Sequence, residues 1–254
     1  VSIPPDDRGF TLGHGLFETI LWERGAPVHW DAHIDRLARG CPALHLPAPD
    51  RDACRRAAEA AVVEAGTPAR AAVRLNWSAG SGGRGLDLPA ALEPRLTATA
   101  ASAAAPDGPA TLTTATVRRN DGSPASRLKT LAYLDNLLAR AEARAVGADE
   151  ALMLNTRGEV ACAGAANVFW IAGETVRTPA LDCGVLDGVV RAEVLRACAR
   201  LGVAAEEVRG GPEALANVPV FLTNSLIGVR PVARLDGRDL PASTLAAALA
   251  EAVR

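Results

Sequence analysis

The chain has 254 residues, 49% of them apolar but only 4% aromatic, and a formal net charge of −2. That length supports one large or two smaller domains packed with Ala, Leu and Val, and near-neutral charge without a basic run argues against nucleic acid as a main partner. No apolar stretch approaches the roughly 18 residues of a spanning helix, and the opening VSIPPDDRGF does not read as a signal peptide, so no membrane partner is expected.

In chain order, Asp31–Leu44 and the Ala-rich Asp50–Ala65 carry the apolar spacing of helices. Arg70–Trp77 reads as a strand, followed by a Gly-rich loop at 78–90 (SAGSGGRGLDLPA) and a flexible connection at 101–110 (ASAAAPDGPA). Thr111–Val117 is a second β-type run, and Asn120–Pro124 is a strong turn cluster. Leu131–Val146 is predicted helical, stopping at Gly147. Strand-like segments follow at Glu150–Asn155, Glu159–Ala161, Asn167–Ala172 and Thr175–Thr178, then a helix at Val190–Leu201 and a buried strand at Val218–Thr223. Strands grouped with flanking helices, without regular βαβ alternation, predict an α+β fold. The turn signals place a smaller N-terminal domain at 1–115, a connection at 116–125 and a larger C-terminal domain at 126–254, with Lys129 just inside the last.

Lys129 is the only lysine, against 26 arginines, and Tyr133 the only tyrosine. Guanidinium can serve every ordinary task of a surface cation, but not condensation with an aldehyde, which needs an amine able to lose its proton. If the segment is helical, Tyr133 lies one turn beyond Lys129. The five cysteines (Cys41, Cys54, Cys162, Cys183, Cys198) are odd in number and lack CxxC spacing, which reads as a reduced, cytoplasmic protein without a zinc knuckle.

Other constellations fail on their chemistry. Lys129-Thr130 lacks the glycines of a phosphate-binding P-loop. His29 and His33 stand four apart without the glutamate a zincin needs after its first histidine, and His14 and His45 add no ligand spacing, so no metal is expected. Gly80–Gly85 (GSGGRG) reads as a mobile flap whose Arg84 suits a substrate carboxylate.

Seven ordered stretches resemble the class IV aminotransferases, the fold-type-IV pyridoxal-phosphate enzymes. They are DRGFTLGHGLFET (7–19), DAHIDRL (31–37), KTLAYLDNLLARAEA (129–143), GADEALMLN (147–155), AANVFWI (165–171), TPALDCGVLDGVVR (178–191) and VFLTNSLIGVRPVARLDG (220–237). Within that family the chain is most similar to aminodeoxychorismate lyases, with D-amino-acid transaminases next. The resemblance implies a two-domain fold with a site between the domains, bound pyridoxal 5'-phosphate, a homodimer and a small amino substrate. Lys129 matches the lysine that forms the internal aldimine and moves the substrate's α-proton. Tyr133 matches a residue near the cofactor's phenolate oxygen, Arg36 a phosphate-binding arginine, Val189 and Val190 backbone phosphate donors, and Ser225 a phosphate-side hydroxyl. Cys162 falls where the family usually has a glutamate that keeps the pyridine nitrogen protonated, and a thiol cannot hold a pyridinium as a carboxylate does.

Three functions follow from the resemblance. The first is lysis of 4-amino-4-deoxychorismate to 4-aminobenzoate and pyruvate, in folate synthesis. The second is transamination of D-amino or branched-chain acids, and the third a catalytically silent cofactor-binding homologue. Elimination that aromatises its product depends less on a protonated ring than transamination does, so Cys162 favours the lyase. The first residue is Val and the stretch before Asp7 is short for such enzymes, so N-terminal residues are expected to be missing.

Overall fold

The computed structural model describes residues 3–253. The chain divides into two units: the first runs to Ala104 and takes in Leu128–Ala132, and the second comprises Ala105–Arg127 and continues from Tyr133.

The first unit contains helix α1 (Arg8–Leu12), strands β1 (Gly15–Glu23) and β2 (Ala26–Pro27), helices α2 (Trp30–Gly40) and α3 (Arg51–Glu64), and strands β3 (Arg70–Ser78) and β4 (Arg95–Ser102). The strands form an antiparallel sheet in the order β2-β1-β3-β4, with β1 and β3 paired from Gly15↔Ser78 to Glu23↔Arg70. Alternation decides the buried face: Ala71, Val73 and Leu75 of β3 join Ile20 and Trp22 of β1 against Ile34 of α2 and Cys54, Ala58 and Val62 of α3. Asp50 caps α3 by accepting from Ala53 N–H at 2.6 Å, which satisfies a donor the helix cannot.

The second unit contains strand β5 (Ala110–Thr114), helix α4 (Leu134–Ala145), strands β6 (Glu150–Leu154), β7 (Val160–Ala163), β8 (Asn167–Ala172) and β9 (Thr175–Pro179), helix α5 (Val189–Leu201), strands β10 (Ala205–Val208), β11 (Val220–Asn224), β12 (Gly228–Leu235) and β13 (Arg238–Asp239), and helix α6 (Thr244–Ala252). Its mixed sheet runs β10-β9-β8-β11-β12-β5-β6-β7, with β13 on β12. In β8 the side chains divide by parity. Val168 and Trp170 join Leu112, Leu152, Leu222 and Val232 in one cluster, while Phe169 and Ile171 meet Val190 and Val194 of α5. Phe169 stacks on Phe221, ring centroids 5.0 Å apart, on the α5 side. On β6 and β7, Met153 and Cys162 pack with Ala139 and Ala143 of α4.

The expected α+β class holds, and the element boundaries shift for physical reasons. The two units differ from the expected division at 1–115, 116–125 and 126–254 in the placing of two segments. β5 pairs with β12 and β6, which assigns it to the second unit. Lys129 belongs with the first unit, because Phe17 N–H donates to Lys129 O at 2.8 Å and Leu131 N–H to Gly15 O at 2.9 Å. Those extended bonds also delay α4, which begins at Leu134 and not Leu131, so Lys129 and Tyr133 do not share a helical turn. β1, β2, β4, β10, β12, β13, α1 and α6 are not anticipated from the sequence; in β4 the alanines dilute the strand signal, so that pairing with β3 decides it.

Candidate active site

In the first unit Lys129 is half-buried, and its Nζ lies 4.1 Å from the centroid of the Phe17 ring. The guanidinium carbon of Arg74 lies 3.7 Å from the same centroid. An aromatic face is an apolar, weakly attractive seat for an amine.

Next to Phe17 in sequence, Glu18 is fully buried and accepts from Arg36 through Nε (2.8 Å) and Nη2 (2.5 Å), and from His33 Nδ1 (2.7 Å). Burial raises the Glu18 carboxyl, but the Arg36 charge and the hydrogen bonds from His33 and Arg36 outweigh it, leaving a value of about 2. Burial pushes the His33 imidazole down, only partly offset by Glu18, so a neutral ring donates Nδ1–H to the carboxylate. Helix α2 sets this geometry by placing His33 and Arg36 three residues apart on one face.

The GSGGRG loop is anchored from α1. Arg8, 4% exposed, donates Nη1 to Gly82 O (3.2 Å) and Gly85 O (3.4 Å), and Nη2 to Leu86 O (3.5 Å). Its Nε donates to His14 Nδ1 at 3.2 Å, which leaves Nε2 of a neutral His14 to donate to Leu44 O at 2.8 Å. Gly80 sits at φ +74°, where a Cβ would fall 1.8 Å from Glu93 O, so only glycine fits. Arg84 is exposed on this loop.

In the second unit the N-terminus of α5 is built from small and neutral parts. Gly188 is its N-cap and supplies no side-chain cap, so the amides of the first turn, including Val189 and Val190, have no capping oxygen. Asn167 donates to Leu186 O at 2.9 Å, and its Oδ1 lies 2.0 Å from where a Gly188 Cβ would be. Thr223 stands opposite Asn167 across β8 and β11, and its buried Oγ1 has no hydrogen-bond partner. Ser225 follows in a turn shaped by Asn224, whose Oδ1 accepts from Leu226 and Ile227 N–H at 2.9 Å each. Open amide donors at a helix start beside an unsatisfied hydroxyl fit a phosphate.

Cys162 lies on β7 opposite Met153, 6% exposed, and burial pushes its thiol up, so it is neutral. Glu159 does not replace it: that carboxylate accepts from Asn155 Nδ2 (2.7 Å) and from Arg157 Nε and Nη2 (3.0 and 2.9 Å). Tyr133 is half-buried at the N-cap of α4.

A family model, amino-transferase class IV, matches residues 15–235.

The chain belongs to the class IV aminotransferases.

As a class IV aminotransferase family member it is a pyridoxal-phosphate-dependent enzyme with a fold-type-IV structure. It is 29% identical over 242 residues to an aminodeoxychorismate lyase of Bacillus subtilis (strain 168), covering 92% of this chain and 82% of the relative. A D-alanine aminotransferase of Bacillus licheniformis is 25% identical over 94% of this chain and 85% of its own length. A solved structure from Legionella pneumophila, described as a candidate 4-amino-4-deoxychorismate lyase, superposes with a TM-score of 0.90 at 28% identity, covering 98% of this chain and 93% of that one. No helix among the described residues is long and apolar enough to cross a membrane, and none of them form a group of three or more His, Cys, Asp or Glu able to hold a metal.

Lys129, Arg36 and Arg84 belong to the first unit, and Cys162, Val189, Val190, Ser225 and Tyr133 to the second. Sequence reasoning missed Glu18, Asn167 and Thr223, whose meaning comes from burial, and Asn224, whose meaning comes from the turn it shapes. Replacing Thr223 with valine, nearly isosteric, is expected to stabilise the cofactor-free protein by roughly 1 kcal/mol and weaken phosphate binding about fivefold. Thermal melting with and without pyridoxal phosphate measures both. A hydroxyl of purely structural value would give a loss of stability instead.

Proposed function

We propose that this enzyme cleaves 4-amino-4-deoxychorismate to 4-aminobenzoate and pyruvate, a step of folate synthesis in the cytoplasm. The observation that carries this reading is a neutral, buried thiol, Cys162, at the family's glutamate position, in a chain whose similarity to aminodeoxychorismate lyases extends over 92% of its length. Bound pyridoxal phosphate supplies an aldehyde and an electron-accepting ring.

Lys129 would hold the group through its amine, and its Nζ would hold and move a proton. The Phe17 ring seats this amine in apolar surroundings. Val189 and Val190 N–H groups with the Ser225 and Thr223 hydroxyls bind phosphate oxygens in the second unit, and Arg36, oriented by Glu18, offers guanidinium to the phosphate. Tyr133 would offer its hydroxyl to the ring oxygen, and Arg84 would recruit a substrate carboxylate from its loop.

Purified protein supplied with 4-amino-4-deoxychorismate should release pyruvate and 4-aminobenzoate without a 2-oxo acid. Rapid amino transfer from D-alanine or a branched-chain amino acid, with no pyruvate release from aminodeoxychorismate, would overturn the lyase reading in favour of an aminotransferase. A protein that forms no borohydride-trapped adduct at Lys129 would be the silent homologue.

A homodimer is part of the same proposal. Leu134, Leu137 and Leu138 of α4 are 64%, 62% and 45% exposed, a single apolar strip that a second copy would cover. Light scattering should give twice the chain mass, and Leu137→Glu should shift it toward monomer.

A further inference from the structure

Arg119 is the most deeply committed cation on the α4 side of the second unit's sheet. Its residue is 7% exposed, and all its contacts are with neutral acceptors: Nε to Gly184 O (3.0 Å), Nη1 to Asn136 Oδ1 (2.9 Å) and Nη2 to Ser126 O (2.5 Å). Among the described residues no carboxylate lies within ion-pair distance of it. Asn136 passes the contact on, donating Nδ2 to Gly164 O (2.8 Å) and toward Met153 Sδ (3.9 Å), and Met153 faces Cys162 across β6 and β7. Arg119 therefore stands behind Cys162 with its charge unneutralised.

Glu150 is the other charged group whose field reaches Cys162. Its Oε1 lies against Gly164 and accepts from Ala151 N–H (3.0 Å), while Oε2 lies 3.5 Å from Arg140 Nη1, which offsets its charge. Of the two fields Arg119 contributes the larger.

We propose that Arg119, acting through the space in front of Cys162, keeps the pyridine nitrogen of the bound cofactor unprotonated. The inference rests on the preceding reading, in which that nitrogen is directed to position 162. A proton on the ring would place a second cation near a buried guanidinium that no carboxylate pairs with, in a medium of low dielectric. An unprotonated nitrogen is instead an acceptor, and the neutral Cys162 S–H is a donor that matches it, though weakly. Arg119 acts through this field and is a positioning residue, with no contact to the reacting atoms implied.

The test is the nitrogen signal of protein loaded with 15N-labelled pyridoxal phosphate. The native protein is expected to show the shift of a neutral pyridine, and Cys162→Glu or Cys162→Asp that of a pyridinium, because the new carboxylate neutralises Arg119 and accepts the ring proton. Cys162→Ala, which removes the thiol but leaves Arg119, should stay neutral; a pyridinium signal there would assign control to the thiol and overturn the role of Arg119. A pyridinium signal in the native protein overturns the inference outright while the covalent adduct at Lys129 persists. Absence of that adduct would instead overturn the functional reading on which the inference stands.

Discussion

Lys129→Ala is expected to abolish the visible absorption that added pyridoxal phosphate gives the native protein and to lower turnover by about four orders of magnitude or more, since one side chain supplies both nucleophile and proton carrier. No other lysine exists to substitute. Lys129→Arg should fail equally, although it preserves the charge over the Phe17 ring, because guanidinium does not lose its proton. Folding should be nearly untouched, since the exposed share of a cation–aromatic contact is worth about 0.5–1 kcal/mol. Absorption spectra, borohydride trapping and a melting curve on both variants decide the point. Retention of the visible band in either would remove Lys129 from the chemistry.

Loss of Glu18 should be the most damaging single change to stability. Glu18→Ala leaves a partly buried guanidinium and a buried imidazole without their shared carboxylate, and breaking such a group costs about 3–5 kcal/mol. That is a large fraction of the roughly 5–15 kcal/mol that holds a typical domain together. The same group makes the first unit acid-labile. The Glu18 carboxyl sits at about 2 in the folded chain against 4.5 ordinarily, so its stabilisation is complete above about pH 4.5 and is lost as pH falls toward 2. The difference corresponds to about 3 kcal/mol. His33 adds a loss that begins earlier: its folded value lies below 6.5, so the unfolded chain takes up a proton first as the solution is acidified. Urea denaturation across pH 7 to 3 should show falling stability in the native protein and a flatter profile in Glu18→Gln. Equal profiles would mean that the buried carboxylate is not the acid-sensitive element.

Much of this was legible in the sequence, for identifiable reasons. Helix α3 announced itself by Asp50 and an alanine-rich stripe, and β8 by the run NVFWI. Lys129 stood out through composition, because an arginine-rich chain that keeps one lysine invites a chemical reason. What stayed hidden depends on partners distant in sequence. Arg36 stands out in the sequence only through the family resemblance, and nothing there shows that Glu18, 18 residues away, draws it inward. Thr223 reads as an ordinary strand residue, and its orphaned hydroxyl emerges only when β11 lies beside β8 under the start of α5. Arg119 carries no signal in the sequence beyond following Arg118, whereas in the fold Gly184, Asn136 and Ser126 enclose it. The segment after Lys129 carried a helical pattern that β1 overrode for its first residues, since buried backbone amides take whichever acceptor the packed chain provides.

The brief return of residues 128–132 to the first unit has a consequence for dissecting the protein. A fragment ending at Ala104 would retain Arg36, Glu18 and the Phe17 ring but would lack the amine seated on that ring. Its sheet would also lose the bonds that Leu131 and Phe17 make across β1. No single cut can therefore liberate a first unit complete with its lysine. Mixing a 1–104 fragment with the remainder would amount to a complementation assay, in which recovery of the trapped adduct at Lys129 reports that a five-residue tether has found its strand.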